Sequence, residues 1–182
     1  MNMDLTKQWI TRWESTRYQS YDDANGQPLT PGITPKGNPT IGVGFNLVAA
    51  GAQAAIEALG LDFNSVLTGA VNITADQVDQ LLTNSINLAI AGATTLVPSF
   101  NTLPDNQQMV LTDLVFNMGE HGLSKFVNTL NYINNQDWMN AAANLQLSAW
   151  FHQVGSGPNQ RGGADTAVLG GTADPQAILG NA

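Results

Sequence analysis

Apolar residues recur at helical spacing along most of this 182-residue chain, and the clearest break in that spacing lies between Tyr18 and Leu47. Leu5, Trp9, Ile10 and Trp13 form one stripe, which predicts a helix over Leu5 to about Trp13 with Asp4 as its cap and Glu14 at its C-terminal end. From Tyr18 to Leu47 the period shortens and turn residues multiply: Asn25-Gly26, Pro28, Pro31-Gly32, Pro35, Gly37 and Pro39. This pattern predicts a β-hairpin or small sheet with a long excursion, Gln27 to Pro39, stiffened by its prolines. Helical spacing returns over Ala49 to Leu59. Thr74 and Gln77 form a capping box opening a helix through about Ile90, with Val78, Leu81, Leu82, Ile86 and Ile90 in register. Asp105 and Gln108 open another, with Val110, Leu111, Leu114, Val115 and Met118 inward, and Phe126 to Ile133 and Trp138 to Trp150 supply the rest. There is no internal repeat. The tail after Gly170 is small and polar and reads as loosely held.

At 43% hydrophobic content the chain can bury a sizeable core as one domain or two small lobes. Cysteine is absent, which removes both a disulfide framework and thiolate catalysis. The first residues carry Asp4, Lys7, Arg12 and Glu14 with no continuous apolar run, which argues against a signal peptide. The most apolar windows, Asn46 to Gly60 and Leu88 to Val97, are too short or too broken for stable membrane insertion. Net charge is −8, and the six Lys and Arg are scattered singly, so no phosphate-tracking patch for nucleic acid is formed. The same charge repels anionic surfaces at long range, a bacterial wall among them.

In a chain this poor in charge, Glu14 and Asp23 stand out because they precede the Gly-punctuated segment Thr40-Ile-Gly-Val-Gly. Two carboxyl groups can divide the breaking of a glycosidic bond, one protonating the leaving oxygen and the other activating or replacing the attacking water. A carboxylate at a helix C-terminus is disfavoured by the dipole, a setting that suits a general acid. Gly42 and Gly44 do not make a phosphate loop, since Leu47 occupies the third glycine position; they suit close backbone approach to a sugar ring or to the other lobe. Reading Gly26 as the sixth position of a calcium loop puts Tyr21 first, so no metal is implied. His121 and His152 stand alone.

From Gln107 the run Gln-Gln-Met-Val-Leu-Thr-Asp-Leu-Val-Phe-Asn-Met-Gly-Glu-His-Gly-Leu-Ser-Lys-Phe-Val-Asn-Thr-Leu resembles the C-terminal lobe of the T-even phage lysozymes of glycoside hydrolase family 24. The resemblance continues through Trp138, Ala141-Ala142, Asn144-Leu145, Ser148 and Trp150. The order Glu14, Tyr21, Asp23, Gly26, Thr40-Ile41-Gly42 and Gly44 is similar to that family's active-site hairpin. The excursion is a departure, because the hairpin of the T-even enzymes is much tighter. Phe45 stands where the family has a histidine, and Gly162-Gly163 replaces helix-favouring residues.

The resemblance implies an α+β lysozyme-like fold: an N-terminal lobe with the hairpin (residues 1–73), a connecting helix (74–93) and a helical C-terminal lobe with its tail (94–182), the cleft lying between the lobes. It implies a muramidase that cuts the β-1,4 bond between N-acetylmuramic acid and N-acetylglucosamine of bacterial peptidoglycan by inversion, as a monomer and without cofactor or metal. Glu14 would be the general acid, with Asp23 and Thr40 holding the water. The family spacing selects Asp23 over Asp22, which is left as a solvated turn residue. Asn46, Phe116, Asn117, Thr129 and Asn144 match sugar-contacting positions, and Arg161 matches an arginine that supports the catalytic glutamate. Such a protein would be made in a host bacterial cytoplasm for phage-type lysis and act in the periplasm or wall. The excursion would overhang the cleft mouth as a semi-rigid lip. The other readings are a carbohydrate-binding or virion structural module that lost the chemistry, a periplasm-acting toxin or effector muramidase, and a chitin-directed glycosidase.

Overall fold

A computed structural model describes residues 1–180. Its helix-rich chain with a small three-stranded antiparallel sheet near the N-terminus is the expected α+β, lysozyme-like class. Asn2, not Asp4, starts α1 (Met3–Glu14): its Oδ1 accepts from the Leu5 N–H at 3.1 Å. Asp4 instead sits in the first turn, where its charge meets the positive end of the helix. The chain leaves α1 through Ser15, held at φ 62°.

The backbone forms two compact units, Glu14–Ser85 and Met1–Trp13 together with the chain from Ile86 onward. In the first unit, β1 (Arg17–Asp22) pairs with β2 (Pro39–Gly42), which pairs with β3 (Phe45–Asn46). The excursion that interrupts this meander is anchored from its start. Pro28 bridges to Tyr21, and Leu29 is buried with its N–H on the Ser20 carbonyl at 2.8 Å. Gly69 allows this, because a Cβ there would run into the Leu29 carbonyl. α2 (Ala52–Glu57) is shorter than expected, and α3 (Phe63–Leu67), capped by Asp62, follows it. The capping box forms as expected: Thr74 N–H donates to Gln77 Oε1 (2.9 Å) and Gln77 N–H to Thr74 Oγ1 (3.2 Å). It opens α4 (Ala75–Leu96), six residues beyond the predicted end at Ile90.

The second unit packs around one apolar cluster that includes Trp9, Phe100, Met109, Leu111, Leu114, Leu123 and Ile133. α5 (Asp105–Ser124) carries the expected inward stripe, but Pro104 rather than Asp105 precedes its first turn, and Gly119 breaks the helical dihedrals at φ 74°, ψ 161°. α6 (Val127–Asn134) matches its predicted span within a residue. The stretch expected as one helix from Trp138 to Trp150 is two, α7 (Trp138–Gln146) and α8 (Ala149–Gln153), because Ser148 turns the chain and caps the second through the Phe151 N–H. α9 (Arg161–Leu169) is touched by α5, α7, α8 and α10 (Pro175–Gly180). Its Gly162-Gly163 pair is a packing requirement: a Cβ on Gly163 would strike the Gly157 carbonyl, and one on Gly162 would lie 2.8 Å from the carbonyls of Gly155 and Phe151. The tail is not loose up to Gly180, since Pro175 is buried and Ile178 and Leu179 pack on the core cluster. Residues 181 and 182 of that tail lie outside the described residues.

Beneath α9 the second unit buries three charged side chains. Arg161 forks onto Asp113 through Nε (2.9 Å) and Nη2 (2.7 Å), and Asp165 accepts from Trp9 Nε1 at 2.8 Å. Burial pushes the Asp165 carboxyl well above its usual range, and the neighbouring Asp113 pushes it further. A carboxyl held protonated by the fold contributes stability that is complete below its unfolded pKa and is lost as pH rises. Asp165→Asn, an uncharged isostere able to keep the Trp9 bond, should therefore match wild type near pH 4 and become the more stable protein towards pH 8. Urea midpoints across that range check this; a gap that does not widen with pH contradicts it.

Candidate active site

The hairpin unit brings several of the sequence-predicted residues together. Glu14, the last residue of α1, is half-buried and its carboxylate lies over the turn joining β2 to β3. A Cβ on Gly44 would lie 3.1 Å from Glu14 Oε2, so the glycine both adopts φ +67° and leaves room for the carboxylate. Close approach was expected of Gly44, but towards a sugar or the other lobe; its neighbour in this unit is Glu14.

Ladder register sets the remaining geometry. Tyr21 lies opposite Thr40, and Thr40 lies opposite Asn46. Asp23 continues the first strand, its N–H reaching the Asn38 carbonyl at 3.1 Å. With side chains alternating, Tyr21, Asp23, Asn38, Thr40 and Asn46 share one face. The long excursion therefore leaves the Thr40–Asp23 relation of a simple hairpin intact. Both acids act on Tyr21: burial raises its phenol pKa, the nearby Arg17 opposes that, and the negative charges of Glu14 and Asp23 add to the rise. Arg17 also stacks on the Tyr21 ring at 4.6 Å and donates to the Gly26 carbonyl at 2.9 Å.

The two adjacent aspartates differ sharply. Asp23 is exposed and accepts from Asn38 N–H (2.7 Å) and Asn38 Nδ2 (3.1 Å). Asp22 is not the solvated turn residue expected from the sequence; it is 3% exposed. Its oxygens accept from the N–H groups of Lys36, Gly37 and Ala24 and from Asn25 Nδ2, at 2.8 to 3.0 Å. The Lys36 bond is the first cause of a carboxyl pKa held below its usual value, with Gly37, Ala24 and Asn25 adding to it against the cost of burial. A strand places consecutive side chains on opposite faces, so one carboxylate goes to the interior and the other to the open face.

The remaining predicted residues lie in the other unit. Thr129 is fully buried and donates to Asn144 Oδ1 at 2.9 Å, fixing that amide so that its NH2 group is left to donate. Asn117 is exposed and accepts from Trp150 Nε1 at 2.8 Å, which orients its amide in the same way. Phe116 is half-buried against the core cluster. Asn144 borders an open depression of about 370 Å³ lined also by Lys125, Phe126, Val127 and Leu147. Arg161 is the buried fork on Asp113 described above. In the hairpin unit, Asn46 accepts from the Val48 N–H at 2.8 Å.

This order of hairpin, acids and helical core has counterparts among known proteins. The family described as phage lysozyme matches residues 11–163, most of the chain. The chain belongs to the phage lysozyme family. A protein of Dictyostelium discoideum named "Probable T4-type lysozyme 2" is 36% identical over 66 residues, which make up 36% of this chain and 39% of that protein. The match thus spans about two-fifths of that relative.

Within this lysozyme fold, sequence reasoning took Asp22 for a solvated turn residue and Gly37 for a turn glycine, and passed over Asn38. Nothing in their spacing marks a loop that folds back onto two carboxylates. The only signal was indirect: a glycine followed by Asn-Pro immediately before a strand is a tight, donor-rich approach.

Proposed function

We propose that this chain is a muramidase that hydrolyses the β-1,4 bond between N-acetylmuramic acid and N-acetylglucosamine of peptidoglycan with inversion, serving phage-type lysis of a bacterial host. The observation that carries the reading is that Glu14 and Asp23 both lie close enough to Tyr21 for their charges to act on it, with Thr40 opposite that tyrosine in the ladder. Glu14 protonates the leaving oxygen. Asp23 and Thr40 hold and activate the water that attacks from the opposite face of the sugar. Asn46 in the hairpin unit and Phe116, Asn117 and Asn144 in the helical unit contact sugars, the buried Thr129 acts only by fixing Asn144, and Arg161 keeps a supporting role. The protein acts as a monomer in the periplasm or wall after release from the cytoplasm. The test is digestion of purified peptidoglycan with the anomer of the first-formed reducing end read by NMR: inversion yields the α product, and a β product means that a covalent intermediate forms instead.

One other reading is a carbohydrate-binding or virion structural module that has lost the chemistry, since a charge of −8 works against encounter with an anionic wall substrate. Absence of any soluble product from that digestion would favour it over the enzyme. If the chain is an enzyme, an acidic protein on an anionic wall gains from screening. Lysis should rise or hold between low salt and about 0.15 M, where the Debye length is about 8 Å. A steep loss over that range in a turbidity assay contradicts this.

A further inference from the structure

We infer that Asn38 is a positioning residue for the hydrolytic water, and that the far end of the excursion is a mould for the Asp23 carboxylate; this rests on the assignment of Asp23 and Thr40 above. Three consecutive backbone N–H groups point at two adjacent carboxylates. Lys36 donates to Asp22 Oδ2 (2.8 Å), Gly37 to Asp22 Oδ1 (2.8 Å) and Asn38 to Asp23 Oδ1 (2.7 Å). Successive amides converging in this way make a fixed, partly positive concavity.

Asn38 then does more than its neighbours. Its Nδ2 donates to Asp23 Oδ2 at 3.1 Å, so one residue holds both oxygens of that carboxylate. Its carbonyl accepts from the Asp23 N–H at 3.1 Å and from Thr40 Oγ1 at 3.2 Å. Two consequences follow for the water. An exposed aspartate otherwise samples several rotamers, and these bonds select one. Thr40 commits its only hydrogen to Asn38, so its oxygen faces the water as an acceptor. Each Asp23 oxygen keeps acceptor capacity beyond the Asn38 bond. A water donating one hydrogen to Asp23 and the other to Thr40 has its lone pair left for the sugar carbon, which is the orientation an in-line attack needs.

The mould is rigid from behind. Asp22 clamps Lys36 and Gly37 from the interior, and Leu29 anchors the start of the excursion, its carbonyl accepting from Gln19 Nε2 at 3.0 Å. Gly37 is needed for closeness: a Cβ there would run into Asp23 Oδ1 and lie 2.8 Å from the Ala24 backbone nitrogen. Only the tip is left to act as a lip, and Ile33 there is 59% exposed.

The experiment is steady-state kinetics of the full chain on a soluble peptidoglycan fragment that keeps at least one N-acetylmuramic acid to N-acetylglucosamine bond, with melting curves, for wild type, Asn38→Ala, Gly37→Ala, Ile33→Ser and Asp23→Asn. Asn38→Ala removes the side-chain bond to Asp23, and Gly37→Ala drives a methyl against the same carboxylate. Both should lower kcat by about 10- to 100-fold with KM within about twofold, the signature of misplaced reacting groups rather than lost binding. Ile33→Ser should leave kcat unchanged. If either of the two nest variants melts without a cooperative transition, the other supplies the answer. The inference is overturned if Asn38→Ala and Gly37→Ala retain wild-type kcat while Asp23→Asn is inactive, or if their losses fall in KM alone, which is what a lip predicts. A wild type that releases no product from peptidoglycan or from its soluble fragments overturns the muramidase reading itself and, with it, this inference.

Discussion

Glu14→Gln is expected to lower peptidoglycan hydrolysis by at least about 100-fold while the protein melts as wild type does, because the amide keeps shape and hydrogen bonding but has no proton to give. The setting makes this substitution a clean probe. Gly44 contributes no side chain to the space beside the carboxylate, so a side chain of the same length fits without disturbing the turn. Glu14 is also the terminal residue of α1, where an amide costs the helix nothing. Turnover within a few-fold of wild type in a product-release assay would remove Glu14 from the reaction and, with it, the two-carboxylate mechanism.

Asp23→Asn should be as severe in turnover, and its contrast with Asp22→Asn separates two carboxylates that are neighbours in the chain. At position 23 an amide loses the proposed base but keeps one oxygen to accept from the Asn38 N–H, and the exposed Asn38 side chain can turn its own oxygen towards the new NH2 group, so the loss should fall in kcat, by about 100-fold or more, with the fold intact. At position 22 an amide puts an NH2 group against the Lys36 or Gly37 N–H, where both oxygens now accept. Asp22→Asn should therefore free the far end of the excursion. Turnover should fall less than in Asp23→Asn, by about tenfold through misplacement of Asp23, together with a lower melting temperature. Assays of both variants on one substrate, paired with melting curves, check the ranking. If Asp22→Asn proves the more damaging to kcat and Asp23→Asn the less, the base has been assigned one residue too late.

A related sign follows from the Asp22 carboxyl pKa, which the Lys36 N–H above all holds below its usual value. The stability it contributes is present above the unfolded carboxylate range and is lost as pH falls through its lowered value. Acid strong enough to protonate Asp22 should therefore loosen the excursion, in the direction opposite to the pH response of Asp165.

The sequence alone determined what local chemistry can determine. The Thr74–Gln77 capping box formed as expected, because its partners are three residues apart and need only the helix they begin. The apolar stripes of α1, α4 and α5 placed those helices on the core, since a 3.6-residue period has one buried face. The hairpin with an interrupted connection was legible in the crowding of Gly, Pro and Asn between Tyr18 and Leu47. Helix ends were less so: Asn2, Pro104 and Ser148 set boundaries that the nearby acids and the Trp138–Trp150 stripe do not show. Only the tertiary structure decided which of two adjacent aspartates is buried and which faces outward. The reason is that a strand sends consecutive side chains to opposite faces, and a loop fourteen residues away in the chain supplies the amides that stabilise the buried one. The same holds for Gly44 against Glu14, Gly69 against Leu29, and Asp165 between Asp113 and Trp9. Each is a contact between segments distant in sequence, and no periodicity or propensity records which distant segments will meet.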